Sequence, residues 1–259
     1  MQLDALGPEN AWSDPTLADR LHDIQGRIHA AASRVGRAEG EVTLVAVTKT
    51  VSAERVAAAA MLGLDVFGEN RVQEALEKRE LLASLAASHP EVDQAMGRAR
   101  WELIGHLQTN KAARALELFA RIQSVDSVRL AEALSARAEG RARALPILLE
   151  VNIGGESSKS GFAVGEVESA AHEILALPAL RIEGLMTVAP IAGDPEQTRP
   201  VFRALRELRD HLRATHHSDL ASWNELSMGM SDDFEVAIEE GATLVRIGRG
   251  LFGERQSVN

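Results

Sequence analysis

Short apolar runs alternate along the chain with longer segments in which Ala, Leu, Arg and Glu recur at helical spacing. Eight runs read as strands: residues 42–47, 65–68, 101–105, 121–125, 145–151, 180–186, 222–227 and 243–247. They are short and largely apolar, as strands covered on both faces should be. Between them lie helix-like stretches at 53–62, 72–86, 111–119, 129–141, 164–177, 196–214 and 233–240, with a further helix at 17–38 ahead of the first strand. Strict alternation predicts parallel βαβ units. Eight such units in 259 residues fit an α/β fold, a single (β/α)8 TIM-type barrel. An open doubly wound sheet is the competing architecture. It usually has fewer strands, and no glycine-rich turn follows residues 42–47. No Pro-, Gly- or Ser-rich linker divides the chain. Residues 1–16 read as a flexible polar arm and 17–259 as one barrel domain. Few residues follow the last strand, so helix 17–38 is the candidate for the eighth helix position.

Composition narrows the classes of function. Lys and Arg total 28 against 38 Asp and Glu, a formal net charge of −10. That balance repels nucleic acid and anionic membrane. There is no Cys, which excludes disulfides, thiol nucleophiles and cysteine-ligated zinc. There is no Tyr, so no step can use a phenolic acid or base. No metal-ligand spacing such as H-E-x-x-H occurs. The first sixteen residues lack the basic start and apolar stretch of a secretory signal, and no apolar run can span a bilayer. A cytoplasmic location follows as the expectation.

In a barrel of this kind the chemistry gathers at the C-terminal ends of the strands. The residues there are Thr48-Lys49-Thr50, Gly68-Glu69-Asn70, Gly105-His106, Asp126-Ser127, Asn152, Met186-Thr187, Ser227 to Ser231, and Arg246 to Gly250. Lys49 sits just past Val45-Ala46-Val47, so its stem is expected to start inside an apolar strand. A lysine desolvated in a barrel mouth can form a Schiff base with an aldehyde, but position alone favours a strand-end lysine that snorkels to water. Ser231 stands before helix 233–240, either as a plain N-cap or as a donor to an anion at the helix N-terminus. Gly248 and Gly250 let backbone approach a phosphate closely. Asp232 and Asp233 count against an anion unless their carboxylates point away. Arg246 lies on an apolar strand, where it needs either an acid such as Glu150 or Glu225 or a ligand atom. His106 is the one histidine that ends a strand. Gly248-x-Gly250-x-x-Gly253 matches the dinucleotide fingerprint, yet too few residues follow for the helix and strand that fingerprint needs. The loop 154–161 lacks the glycine before Lys159 that a P-loop requires and reads as a lid.

A strand-one lysine, a strand-borne arginine and a phosphate cup at one barrel mouth are what pyridoxal 5′-phosphate (PLP) needs. The segments Val45-Ala46-Val47-Thr48-Lys49, FGENRVQE from Phe67, WELIGHLQTNK from Trp101, EVNIGGESSKSG from Glu150, GLMTVAP from Gly184, LSMGMSDDFEVAIEEG from Leu226 and VRIGRGLFG from Val245 span about 200 residues in order. Together they resemble the pyridoxal phosphate homeostasis proteins, relatives of the N-terminal barrel of alanine racemase. The resemblance implies a fold-type III PLP-binding barrel without the racemases' C-terminal β-domain. It implies a Schiff base on Lys49, Arg246 facing the pyridine nitrogen, Ser231, Gly248 and the backbone at Arg249 around the phosphate, and Asn70 near the cofactor. Two positions depart from the family: Arg249, often a small residue, and Glu102, commonly His. The function implied is binding, buffering and delivery of PLP without catalytic turnover. A monomer is implied, with apo PLP-dependent enzymes as candidate recipients. Two rivals stand beside it. One is a small amino-acid racemase or lyase using Lys49 and His106; the other is a phosphate-binding barrel enzyme that uses no pyridoxal. An arginine at the pyridine nitrogen and the lack of Tyr weigh against the racemase.

Overall fold

Eight of the strands close into a ring. The structure is a computed structural model that describes residues 14–156, 160–215 and 223–253. Its strands are β1 (Thr43–Val47), β2 (Val66–Glu69), β3 (Arg100–Leu103), β4 (Arg121–Val125), β5 (Leu145–Asn152), β6 (Phe162–Ala163), β7 (Leu180–Met186), β8 (Glu225–Ser227) and β9 (Leu244–Ile247). Every pairing is parallel. Neighbours run β4-β3-β2-β1-β9-β8-β7-β5, and β4 pairs with β5 to shut the barrel. The two-residue β6 is the addition that periodicity could not announce. It pairs with Val151 and Asn152 of β5 and brings the loop after β5 back beside its own start.

The helices are α1 (Pro15–Arg34), α2 (Ala53–Met61), α3 (Val72–Ser88), α4 (Pro90–Met96), α5 (Ala112–Leu118), α6 (Val128–Ala138), α7 (Val167–Leu175), α8 (Arg199–Thr215), α9 (Phe234–Glu239) and α10 (Arg249–Phe252). α1 starts inside the expected arm: Asp14 caps it, its Oδ1 accepting the Leu17 N–H at 3.0 Å, and Pro15 opens the first turn. The rest of the expected arm, residues 1–13, lies outside the described residues. α1 buries Leu17, Leu21, Ile24, Ile28, Ala31 and Ala32 and packs on α9 and α10. It therefore covers the barrel beside the short helix that follows β9. Among the described residues no helix is long and apolar enough to cross a membrane.

The strands alternate between two cores. Val245 and Ile247 belong to the large cluster between sheet and helices, whereas Leu244 joins Val45, Val66, Leu148 and Met186 in a small separate cluster within the barrel. Arg246 shares the inward phase of Leu244, and Glu150 that of Leu148. The upper lumen is thus polar where the lower lumen is aliphatic. This phase, and not a local motif, aims Arg246 and Glu150 at the mouth.

Candidate functional site

The mouth is assembled from neighbouring strand ends. Beyond β1, residues Thr48 to Val51 form a turn closed by the Val51 N–H donating to Thr48 O at 2.9 Å. Thr48 is buried but Lys49 is exposed. Of the two readings of Lys49, the strand-end lysine that reaches water is the one the fold gives, because the Thr48–Val51 turn carries Lys49 past the strand into solvent. Gly68 of β2 pairs with Val47, and Asn70 follows it, half-buried, one strand along the rim. A Cβ on Gly105 would lie 2.4 Å from Asn70 O, so a glycine there lets the ends of β2 and β3 touch.

On the other side of β1 stands β9, with Val45 in register with Arg246. Arg246 is only 4% exposed. Both terminal nitrogens donate to uncharged oxygens: Nη1 to Ser227 Oγ at 2.6 Å and Nη2 to Thr187 O at 2.8 Å. These bonds, and not an ion pair with Glu150 or Glu225, hold the guanidinium. Burial pulls the guanidinium down to about 10, and the charges of Glu150 and Asp233 oppose that fall. It remains a cation at neutral pH. The bonds continue through the lumen. Ser227 Oγ donates to Gln123 Oε1 at 2.6 Å, Gln123 Nε2 donates to Glu102 Oε2 at 2.5 Å, and Glu102 pairs with Arg121 at 3.3 Å. Glu102, a departure from the family, thus anchors this chain. Ser227 stood out only as one of the polar residues at its strand end, and Gln123 carried no signal because it sits singly within its strand.

Next on the rim is the loop after β8. Of the two roles open to Ser231, the plain N-cap is not taken. Asp233 occupies that position before α9, its Oδ1 accepting the Met230 N–H at 2.7 Å. Ser231 instead accepts the Gly250 N–H on Oγ at 3.1 Å and ties the β8 loop to the β9 loop. A Cβ on Gly248 would come 3.2 Å from Val47 Cβ and Val47 O, so a glycine there lets the β9 loop lie close against β1. Arg249 is exposed and paired with the outward-facing carboxylate of Asp232. Asp232 is thus neutralised by Arg249 and largely exposed, whereas Asp233 is buried beneath the loop with its carboxylate on the Met230 N–H. Lys49, Gly248, Gly250 and Ser231 follow one another along the ends of β1, β9 and β8, so the structure brings them together.

Across the mouth, His106 Nδ1 lies 2.7 Å from Asp126 Oδ2, with the histidine side chain 57% exposed. Glu150 faces the same space. Burial, then the nearby charge of Asp126, pushes its carboxyl up to about 7 from an ordinary 4.5, while Arg246 and His106 pull it down. Between those pH values the folded protein holds a proton that the unfolded chain lacks, so stability falls as pH rises through that window. Glu150→Gln removes the effect. At pH 8 the variant should be more stable than the parent by up to about 3 kcal/mol, and at pH 4 the two should match. Urea unfolding at both pH values measures it, and a difference independent of pH would contradict the assignment. Of the expected lid, residues 157–159 lie outside the described residues; Gly161, with φ of 112°, would bring a Cβ 2.9 Å from Asn152 N and so holds the loop's far anchor against β5.

The family profile of the alanine racemase N-terminal domain matches residues 20–256. A pyridoxal phosphate homeostasis protein of Aquifex aeolicus is 42% identical over 238 residues, 92% of this chain and 98% of the relative. Among solved structures, PipY of Synechococcus elongatus with PLP bound aligns with a TM-score of 0.76 at 32% identity, covering 92% of this chain and all of that one. An alanine racemase of Clostridium difficile aligns at 0.66 with 14% identity, this chain covering 58% of it, and shares the barrel fold.

Proposed function

The chain belongs to the pyridoxal phosphate homeostasis protein family, built on the barrel of alanine racemase N-terminal domains, and from that premise we propose that it captures, holds and releases PLP in the cytoplasm without turning over an amino acid. When bound, PLP supplies an aldehyde, a phosphate and an electron-withdrawing pyridine ring. The donor set of the mouth fits these groups in kind. Lys49 presents an exposed primary amine, which condenses with an aldehyde as a Schiff base and releases one water. Ser231 and the backbone from Gly248 to Arg249 offer a hydroxyl and the opening N–H groups of α10 to a phosphate. Asn70 adds a polar side chain beside the end of β1. A monomer suffices for this set, and apo PLP-dependent enzymes are the recipients we propose.

The observation that carries the reading is Arg246, a buried cation held by Ser227 and Thr187. An arginine keeps its own proton and leaves a ring nitrogen that it bonds unprotonated, which makes the ring a poor electron sink. Efficient racemisation also needs proton transfer on both faces of the substrate carbon. Each positioned acid or base is worth roughly 10²–10⁴-fold, and the chain has no Tyr to be the second.

The His106–Asp126 pair favours a second reading, a small racemase or lyase in which an oriented imidazole serves the face opposite Lys49. Exchange of the alanine α-proton in deuterated water separates the two. The holding function predicts negligible exchange by the PLP-loaded protein. Fast exchange that His106→Ala abolishes would establish the second reading.

A further inference from the structure

Thr50, the residue after Lys49, has φ of 63°, the one positive value outside glycine among the described residues. A β-branched residue is strained there and persists only where its surroundings insist on it. The surroundings are three charged side chains. Glu74 Oε1 accepts the Thr50 N–H at 2.5 Å. Lys78, one turn further along α3, donates to Thr48 O at 2.5 Å, pairs with Glu69, and lies 3.3 Å from Glu74. Glu69 Oε1 also accepts the Thr48 hydroxyl at 2.7 Å. Glu69 is fully buried and Lys78 is 6% exposed. An ion pair serving stability alone could sit anywhere in the core. Here each of the three side chains also bonds a residue flanking Lys49: Glu69 and Lys78 bond Thr48, and Glu74 bonds Thr50, while Lys49 itself stays exposed.

We infer that Glu74 and Lys78 of α3, with Glu69 of β2, are positioning residues that fix the strained Thr48–Val51 turn and so set the direction from which the Lys49 amine meets an aldehyde. The inference rests on Lys49 being the capturing amine. A loose turn would leave the amine present but poorly aimed, and misplacement by about an ångström costs up to about 10²-fold in rate. Glu74 is the residue to change, because it is partly exposed and its loss leaves the buried Lys78–Glu69 pair intact.

The test measures the rate at which the full chain captures PLP, together with the circular dichroism of the bound chromophore, which reads its orientation. Glu74→Ala should slow capture by about tenfold and change the dichroism. Glu74→Gln keeps an oxygen to accept the Thr50 N–H and should stay within about twofold of the parent in rate, with its dichroism. Lys49→Ala, run alongside, should show no covalent capture. Parental rate and dichroism in Glu74→Ala, with Lys49→Ala inactive, would overturn the clamp alone. Equal impairment of Glu74→Ala and Glu74→Gln would overturn it too. Undiminished covalent capture by Lys49→Ala would instead overturn the assignment of Lys49.

Discussion

Arg246→Met is expected to lower the stability of the ligand-free protein by about 2–4 kcal/mol, as the loss of a buried donor with two partners does. Methionine fills much of the volume and removes the desolvated charge, which offsets part of the loss. What remains is a buried Thr187 carbonyl and a buried Ser227 hydroxyl, each short of a donor. Ser227 then becomes free to turn, and the bond it donates to Gln123 loses its fixed direction. Glu150 also loses the charge that holds its carboxyl down. Urea denaturation of the two proteins measures the difference. Stability equal to the parent would mean that the lumen chain is not organised around Arg246.

A larger loss is expected from Gly184→Ala. Gly184 lies on β7 where the register against β5 shifts: Ile147 faces Ile182, while the next residue, Leu148, faces Gly184. The extra residue, Glu183, is turned onto Arg121 at 2.6 Å. The shift presses the β7 backbone onto β8. A Cβ on residue 184 would lie 1.9 Å from Glu225 O and 2.9 Å from Glu225 N. No side-chain rotation relieves a contact with backbone, so two barrel strands must part. The expected cost is about 4 kcal/mol or more, beyond ordinary overpacking. Recovery of little folded protein, or a greatly lowered urea midpoint, is the expected result. A parental midpoint would show that β7 and β8 can separate without penalty.

The barrel was legible because each strand is short, apolar and bounded by polar residues, a pattern that depends only on burial on both faces. α4 and α10 were not legible. α4 is a seven-residue helix that begins at Pro90 directly after α3, and α10 spans four residues, too short for periodicity to register. Lys49, Arg246, Ser231 and Gly248 were legible as residues at strand ends, but their surroundings were not. Ser231, Asp232 and Asp233 are all capping types, and only the fold decides that Asp233 takes the N-cap position and bonds back to Met230 while Ser231 reaches Gly250. Gly248 read as room for a ligand, and its close packing on Val47 was not legible. The Arg246–Ser227–Gln123–Glu102 chain joins residues up to 144 positions apart, from Glu102 to Arg246, on four strands. The clamp on the Lys49 turn hides for a similar reason. Glu74 and Lys78 read as two charges on an amphipathic helix, and only the packing of α3 over the end of β1 turns them inward.

Borohydride reduction of the PLP-loaded protein, followed by peptide mapping, identifies the amine that holds the cofactor. Reduction freezes the carbon–nitrogen bond where it stands, so the map names the amine. One pyridoxyl group is expected, on Lys49, and none in Lys49→Ala. Label carried instead by Lys111 or Lys159 in the unaltered protein would contradict it.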